Sequence, residues 1–211
     1  FWSQARAMQR HELMTGKNTK KPKILFVGLA DSSHTHSWVN LLKGKDFDVR
    51  VFGCWATMPP SDFEFPVYSA SRPVIRRVLN EVFIFARRFV SFLSDRRKIK
   101  RPLLILLNIF DFFSDKKILF SVIKKWEPDV IHTLGLDPAS FLYLRVKTRY
   151  KLDNIWVVTL RGGPEFALNR LISEKANAIK EVLQACDQII ADNKQNYNYA
   201  KELGIAESKL S

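Results

Sequence analysis

Cysteine and long hydrophobic runs are both scarce in this chain of 211 residues. The two cysteines, Cys54 and Cys186, are far apart in sequence. This excludes a disulfide scaffold and a zinc site built from cysteines, and it indicates a reducing compartment. No run reaches the roughly 18 apolar residues that a membrane span requires. No apolar stretch follows the early basic residues, so no secretory signal is predicted and we expect a cytoplasmic protein.

Acidic residues are outnumbered, since 21 Asp and Glu stand against 34 Lys and Arg, giving a formal net charge of +13. Such an excess suggests a polyanionic partner, which composition leaves open as nucleic acid, anionic lipid or a phosphorylated substrate. Hydrophobic residues make up 46% of the chain and charged residues 26%, which excludes disorder throughout.

The first 22 residues are polar, rich in lysine and without hydrophobic period, and the chain begins at Phe1. We expect residues 1–22 to be a disordered leader or to precede a natural start at Met8 or Met14. The folded domain is expected to span residues 23–211.

Short apolar runs alternate with helical patterns in that domain. This alternation predicts βαβ units, and right-handed crossovers then give a doubly wound α/β fold, a mostly parallel Rossmann-like sheet with helices on both faces. Strands are predicted at Lys23–Gly28, Asp48–Gly53, Asp129–Leu134, Ile155–Leu160 and Asp187–Ala191, with a weaker edge strand at Phe63–Tyr68. Helices are predicted after the loop Asp31–His36, and at Asp115–Trp126, Pro138–Thr148, Ser173–Ala185 and Asn193–Leu203.

Polar residues follow the predicted strands where strand order should reverse. If Lys23–Gly28 and Asp129–Leu134 are neighbours across the reversal, their loops face one crevice, the place where open α/β sheets bind ligands. The crevice candidates are Ser33, His34, His36, His132, Asp137, Arg161 and Gly162. Arg161 with the glycines after it suits an anion.

Other interpretations of these residues stay open. A single histidine at a strand end is often only hydrogen-bonded in a turn, and a surface arginine often lies on an ordinary turn. Zinc bound by His34, His36, His132 and Asp137 is a weaker alternative, because this spacing is looser than in usual zinc sites. The glycine fingerprint of dinucleotide-binding proteins and the P-loop are both absent from the sequence.

A basic amphipathic helix is predicted at Pro73–Leu93, with a basic tail after it. Residues 72–101 hold ten basic and two acidic side chains, a net +8, with phenylalanines interleaved. One hypothesis is that this segment binds an anionic membrane surface through Arg76, Arg77, Arg87, Arg88, Arg96 and Arg97. The alternative is a helix packed on the sheet with its charged face in solvent. No nucleic-acid-binding module is recognised, so nucleic acid is not an expected partner.

Several segments in order resemble the N-terminal half of a GT-B glycosyltransferase of the retaining family 4 type. These are the strand Lys23–Gly28 with the "H-T-x-x-W-V-x-x-L" helix His34–Leu42, the "P-D-V-V-H" strand Pro128–His132, and the "V-V-T-x-H/R-G" strand Val157–Gly162. The "A-D-x-I-I-A … L-G-I" end resembles Cys186–Ala191 with Leu203–Ile205.

The resemblance implies an acceptor-side Rossmann-like domain of a retaining enzyme that transfers a sugar from a nucleotide-sugar donor to a glycan or lipid-linked acceptor. It implies that Gly28, Ser33, His34, Asp137, Arg161 and Gly162 line the acceptor and donor-phosphate cleft, with His132 as the catalytic candidate. It implies no metal or other cofactor. The donor-binding domain of such enzymes would lie beyond Ser211, so we expect these residues alone to be inactive.

Two other function classes remain as alternatives. One is a non-catalytic ligand-binding module of the same fold, because a fold does not fix a function. The other is a basic adaptor located peripherally at the inner face of a membrane, using residues 72–101.

Overall fold

The computed structural model describes residues 20–69, 115–161, 166 and 171–211. Buried apolar runs form its strands, and segments with apolar residues at helical spacing form its helices. The strands are β1 (Lys23–Gly28), β2 (Asp48–Gly53), β3 (Val67–Ser69), β4 (Val130–Leu134), β5 (Ile155–Leu160) and β6 (Gln188–Ala191). The helices are α1 (Ser33–Asn40), α2 (115–126), α3 (Phe141–Tyr150), α4 (Ser173–Ala185) and α5 (Lys194–Glu202).

The strands form one parallel sheet of six in the order β3-β2-β1-β4-β5-β6. Chain order runs outward in one direction from β1 and in the other from β4, so the reversal lies between these two strands. Their register aligns Phe26 with His132. The predicted doubly wound Rossmann-like fold and the predicted pairing of β1 with β4 are both confirmed.

Helices cover both faces of the sheet. On one face, α1 places Val39 against Ile24, Phe26 and Val51 of β1 and β2. On the other face, the larger core joins Leu25, Val27, Ile131 and Trp156 to apolar side chains of α2, α3 and α4. Because successive strand residues point to opposite faces, a central strand that is covered on both sides is apolar along its whole length.

Several element boundaries differ from the prediction by one to four residues. Helix α1 begins at Ser33, so His34 lies on the helix and not in a loop. Strand β3 is confined to Val67–Ser69 at the sheet edge, immediately after Pro66, which has no N–H to donate to a ladder.

Several predictions fall outside the described residues. These include the leader up to residue 19, the helix Pro73–Leu93, and all six arginines proposed to meet a membrane: Arg76, Arg77, Arg87, Arg88, Arg96 and Arg97. The membrane-surface hypothesis therefore stays a prediction. Within the part of the chain that the structure describes, no helix is long and apolar enough to cross a bilayer.

Candidate functional site at the carboxyl edge of the sheet

The turn from β1 into α1 forms the first part of the candidate site. Gly28 ends β1 and is buried, and a Cβ added there would lie 3.2 Å from the Thr35 hydroxyl and 3.3 Å from the Leu134 Cβ. The absence of a side chain thus lets α1 approach the end of β4. Gly28, which was expected to face a donor phosphate, has a packing position in this structure.

The first turn of α1 lies at the reversal between β1 and β4. Its N-cap residue is Ser32, whose side chain makes no capping hydrogen bond. The first N–H groups of a helix have no partner within the helix and carry its positive dipole end. Ser33 is exposed in this turn. The turn therefore presents backbone donors and partial positive charge at the edge where the fold binds ligands.

His34 is the second residue of that turn and is partly buried. Burial lowers its pKa below the ordinary histidine value, the Arg161 charge lowers it further, and the Asp192 charge opposes both. These interactions place His34, Arg161 and Asp192 in one electrostatic neighbourhood, although the three residues follow different strands. The lowered pKa favours the neutral form of the ring, and the buried Nε2 has no hydrogen-bond partner among the described residues.

Asn196 holds the ends of β5 and β6 together behind Arg161. Its buried Nδ2 group donates to the Arg161 carbonyl at 2.8 Å and to an Asp192 carboxylate oxygen at 3.0 Å, while its backbone N–H donates to the Asn193 side chain at 2.8 Å. Neither Asn196 nor Asp192 was among the residues predicted for the site. The sequence signal that could have found them is Asn193, an N-cap residue that begins α5 just after β6 and so places Asp192 and Asn196 at the carboxyl edge of the sheet.

Asp137 lies in the irregular turn Leu136–Ser140 after β4, and its side chain is exposed. Ser140 anchors this turn by donating to the Gly135 carbonyl at 2.6 Å. The turn belongs to the same edge of the sheet as α1 and Arg161. Gly162, the remaining cleft candidate, lies outside the described residues.

His132 differs most from its predicted position. It lies in the middle of β4, is 0% exposed, and its Nε2 is 2.7 Å from the Thr159 hydroxyl. The ring packs against Phe26 and edge-on against Trp38, at centroid distances of 4.9 and 5.4 Å. Burial lowers its pKa to about 3. The catalytic role stays a prediction, and the observed contacts give His132 a place in the core beneath Trp38.

Trp38 separates the two histidines that were expected to share the crevice. Its ring is 6.4 Å from the His34 ring and 5.4 Å from the His132 ring. The imidazoles are therefore on the same side of the sheet, with His34 toward the edge and His132 inside.

The histidines do not assemble a metal site. His36 has its Nε2 2.9 Å from the Ala30 carbonyl oxygen and stacks on Phe63 at 4.8 Å. Among the described residues, no three His, Cys, Asp or Glu side chains are grouped so as to hold a metal ion. The zinc alternative thus gains no support from this arrangement.

The sequence matches no protein-family model and no curated protein. Solved structures do match it, and one is similar over 89% of this chain, the Candida albicans trehalose-6-phosphate phosphatase N-terminal domain. The TM-score is 0.50 and the identity is 13%. This likeness shows the fold. The chain spans 44% of the length of that structure, so the activity of a whole protein is a matter for proposal.

Proposed function

We propose that this chain is the acceptor-side domain of a retaining glycosyltransferase that uses a nucleotide-sugar donor. The observation that supports the proposal is the meeting of the α1 N-terminus, neutral His34 and Arg161 at the reversal of strand order. A helix N-terminus and an arginine suit a diphosphate, while a neutral imidazole suits an uncharged hydroxyl.

Each residue has a distinct part in the proposed reaction. The bond between the sugar anomeric carbon and the phosphate oxygen breaks, and the nucleoside diphosphate leaves with the bonding electrons. Arg161 and the first N–H groups of α1 stabilise this departing charge. His34 accepts a hydrogen bond from the acceptor hydroxyl and orients its oxygen toward the anomeric carbon. The hydroxyl proton passes along this hydrogen bond to His34 as the new glycosidic bond forms, and His34 then releases it to water.

Asn196 and Asp192 support Arg161 and do not touch the reacting atoms. Asn196 fixes the carbonyl of Arg161, and therefore fixes where the arginine leaves the sheet. Asp192 lies near enough to interact with His34. Arg161 directly follows β5 and His34 lies on α1, so regular elements of the fold position both residues.

The test is donor turnover by the natural full-length protein, measured as nucleoside diphosphate released from a panel of UDP-sugars and GDP-sugars with glycan or lipid-linked acceptors. Arg161→Ala is expected to reduce kcat about a hundredfold, the range for losing one donor to a developing negative charge. Lys124→Ala removes a positive charge from an exposed position of α2 and is expected to leave turnover unchanged. Equal rates for both variants would contradict the proposal.

A non-catalytic ligand-binding module is the second candidate. The burial of His132 favours it, because the residue predicted to be catalytic lies inside the core. This candidate predicts that nucleotide sugars bind to the full-length protein and that no nucleoside diphosphate is released with any acceptor. The likeness to the phosphatase structure shows the fold alone and so favours no reaction.

A further inference from the structure

A second concave site lies in the helical layer, apart from the carboxyl edge of the sheet. It is a cavity of about 410 Å³ between α2, α3 and α4. Its basic side chains are Lys116 and Lys117 of α2 and Arg145 and Arg149 of α3, and its acidic side chain is Glu181 of α4. Four positive charges against one negative charge leave a local excess of three. We call this set the helix pocket.

One wall of the helix pocket is formed by closely packed apolar side chains. Tyr150, which lines it, stacks face to face on Phe120 with ring centroids 3.6 Å apart and planes 8° apart. Leu144 lines the cavity beside it. The aromatic pair joins α2 to α3, so the basic side chains of the two helices project from a packed junction.

The positively charged side chains of the helix pocket repel one another. Burial lowers the pKa of Lys116, and the charges of Arg145 and Arg149 lower it further. An anion bound between these positive side chains would reduce the repulsion among them, because a nearby negative charge favours the charged form of each group. A phosphoryl group offers several acceptor oxygens, and arginine binds such groups with two parallel hydrogen bonds.

We propose that the helix pocket binds a phosphoryl group, carried either by a soluble phosphorylated ligand or by a phospholipid headgroup. A cavity of this volume falls in the range of small-molecule sites, about 300–1,000 Å³. No lining residue lies on a strand or at a strand end, so the site is separate from the crevice used by the proposed transferase activity.

Binding of inorganic pyrophosphate to the 211-residue chain carrying Arg161→Ala, measured by isothermal titration calorimetry, tests the soluble source without the anion-binding arginine of the crevice. Arg145→Gln with Arg149→Gln is expected to weaken binding about tenfold or more, since each charged hydrogen bond contributes strongly. The matched control is Lys124→Gln with Lys125→Gln, which removes two charges from exposed positions of α2 outside the pocket. The pyrophosphate affinity of this control is expected to stay within about twofold of that of the parent. Circular dichroism checks that both double variants are folded.

Sedimentation with vesicles tests the headgroup source, using phosphatidylglycerol vesicles and neutral phosphatidylcholine vesicles. Binding to the anionic vesicles alone, lost in the arginine double variant and kept in the lysine control, supports a headgroup even if pyrophosphate does not bind. The proposal is overturned if neither probe binds, or if both double variants weaken binding equally, since equal loss reports net charge and not this pocket.

Discussion

The burial of His132 has a consequence for stability at mildly acidic pH. The ring is fully buried between Phe26 and Trp38, and its pKa falls to about 3 in the folded chain. In the unfolded chain it returns to the ordinary value near 6.5. Between these two values the unfolded state binds a proton and the folded state does not. His132 therefore contributes stability that is fully present above about pH 6.5 and is lost progressively as the pH falls toward 3.

The size of this effect follows from linkage. For these two pKa values, the free energy of unfolding falls by about 2 kcal/mol between about pH 7.5 and about pH 5 through His132 alone. Urea unfolding followed by tryptophan fluorescence measures it. His132→Gln keeps a polar group near Thr159 but does not titrate, so its free energy of unfolding should depend on pH less steeply than the parent by about that amount.

The control is Leu42→Ala, because it destabilises the chain without removing a titrating group and should leave the parent slope intact. Only the difference in pH slope is compared, because removing the imidazole also changes stability at neutral pH. If His132→Gln retains the full pH dependence of the parent, the ring is not a buried neutral histidine and the placement of β4 against α1 is wrong.

Three further predictions concern contacts around the candidate site. Gly53→Ala should destabilise the chain more than Gly28→Ala, as measured by urea midpoints. The Cβ added at Gly53 would lie 2.5 Å from the Thr57 carbonyl oxygen, whereas the Cβ added at Gly28 would lie 3.2 Å from the Thr35 hydroxyl. Asn196→Ala should lower the free energy of unfolding by about 2 kcal/mol, since it removes the buried amide that donates to the Arg161 carbonyl at 2.8 Å. Asn193→Ala should cost about 1 kcal/mol as the loss of a helix cap, and equal losses in urea would contradict this assignment. Leu42→Ala should cost about 2–5 kcal/mol and Leu41→Ala under about 0.5 kcal/mol by the same assay, because Leu42 is 4% exposed and Leu41 is 58% exposed. The reverse order would mean that the turn after α1 packs on the sheet through Leu41 and not through Leu42.

The sheet could be predicted from the sequence because its strands are buried on both faces. β1, β2 and β5 have the predicted bounds, since a short apolar run bounded by polar or glycine residues leaves little choice of register. The pairing of β1 with β4 was expected from the reversal of strand order that open α/β sheets share.

The candidate site was harder to predict because its residues are brought together by distant parts of the chain. The polar run after Gly28 was assigned to a loop as far as His36, although Ser32 before an apolar helical pattern is an N-cap signal that places the start of α1 at Ser33. The depth of His132 depends on Trp38 of α1 closing over it, which no local pattern of β4 records. Asn196 bonds to the Arg161 carbonyl across 35 positions of sequence, so its role needs the fold.

The most direct test of the account is to locate an anion on the protein. Inorganic pyrophosphate, the charged part that nucleotide sugars share, is titrated into the isotopically labelled 211-residue chain while backbone amide signals are followed by NMR. If the crevice binds the diphosphate, the amides of Ser33, His34, Thr35 and Arg161 shift together in one saturable curve, and Arg161→Ala abolishes that curve. If those amides do not move, while signals elsewhere move or none do, the crevice does not bind the diphosphate and the proposed function is contradicted.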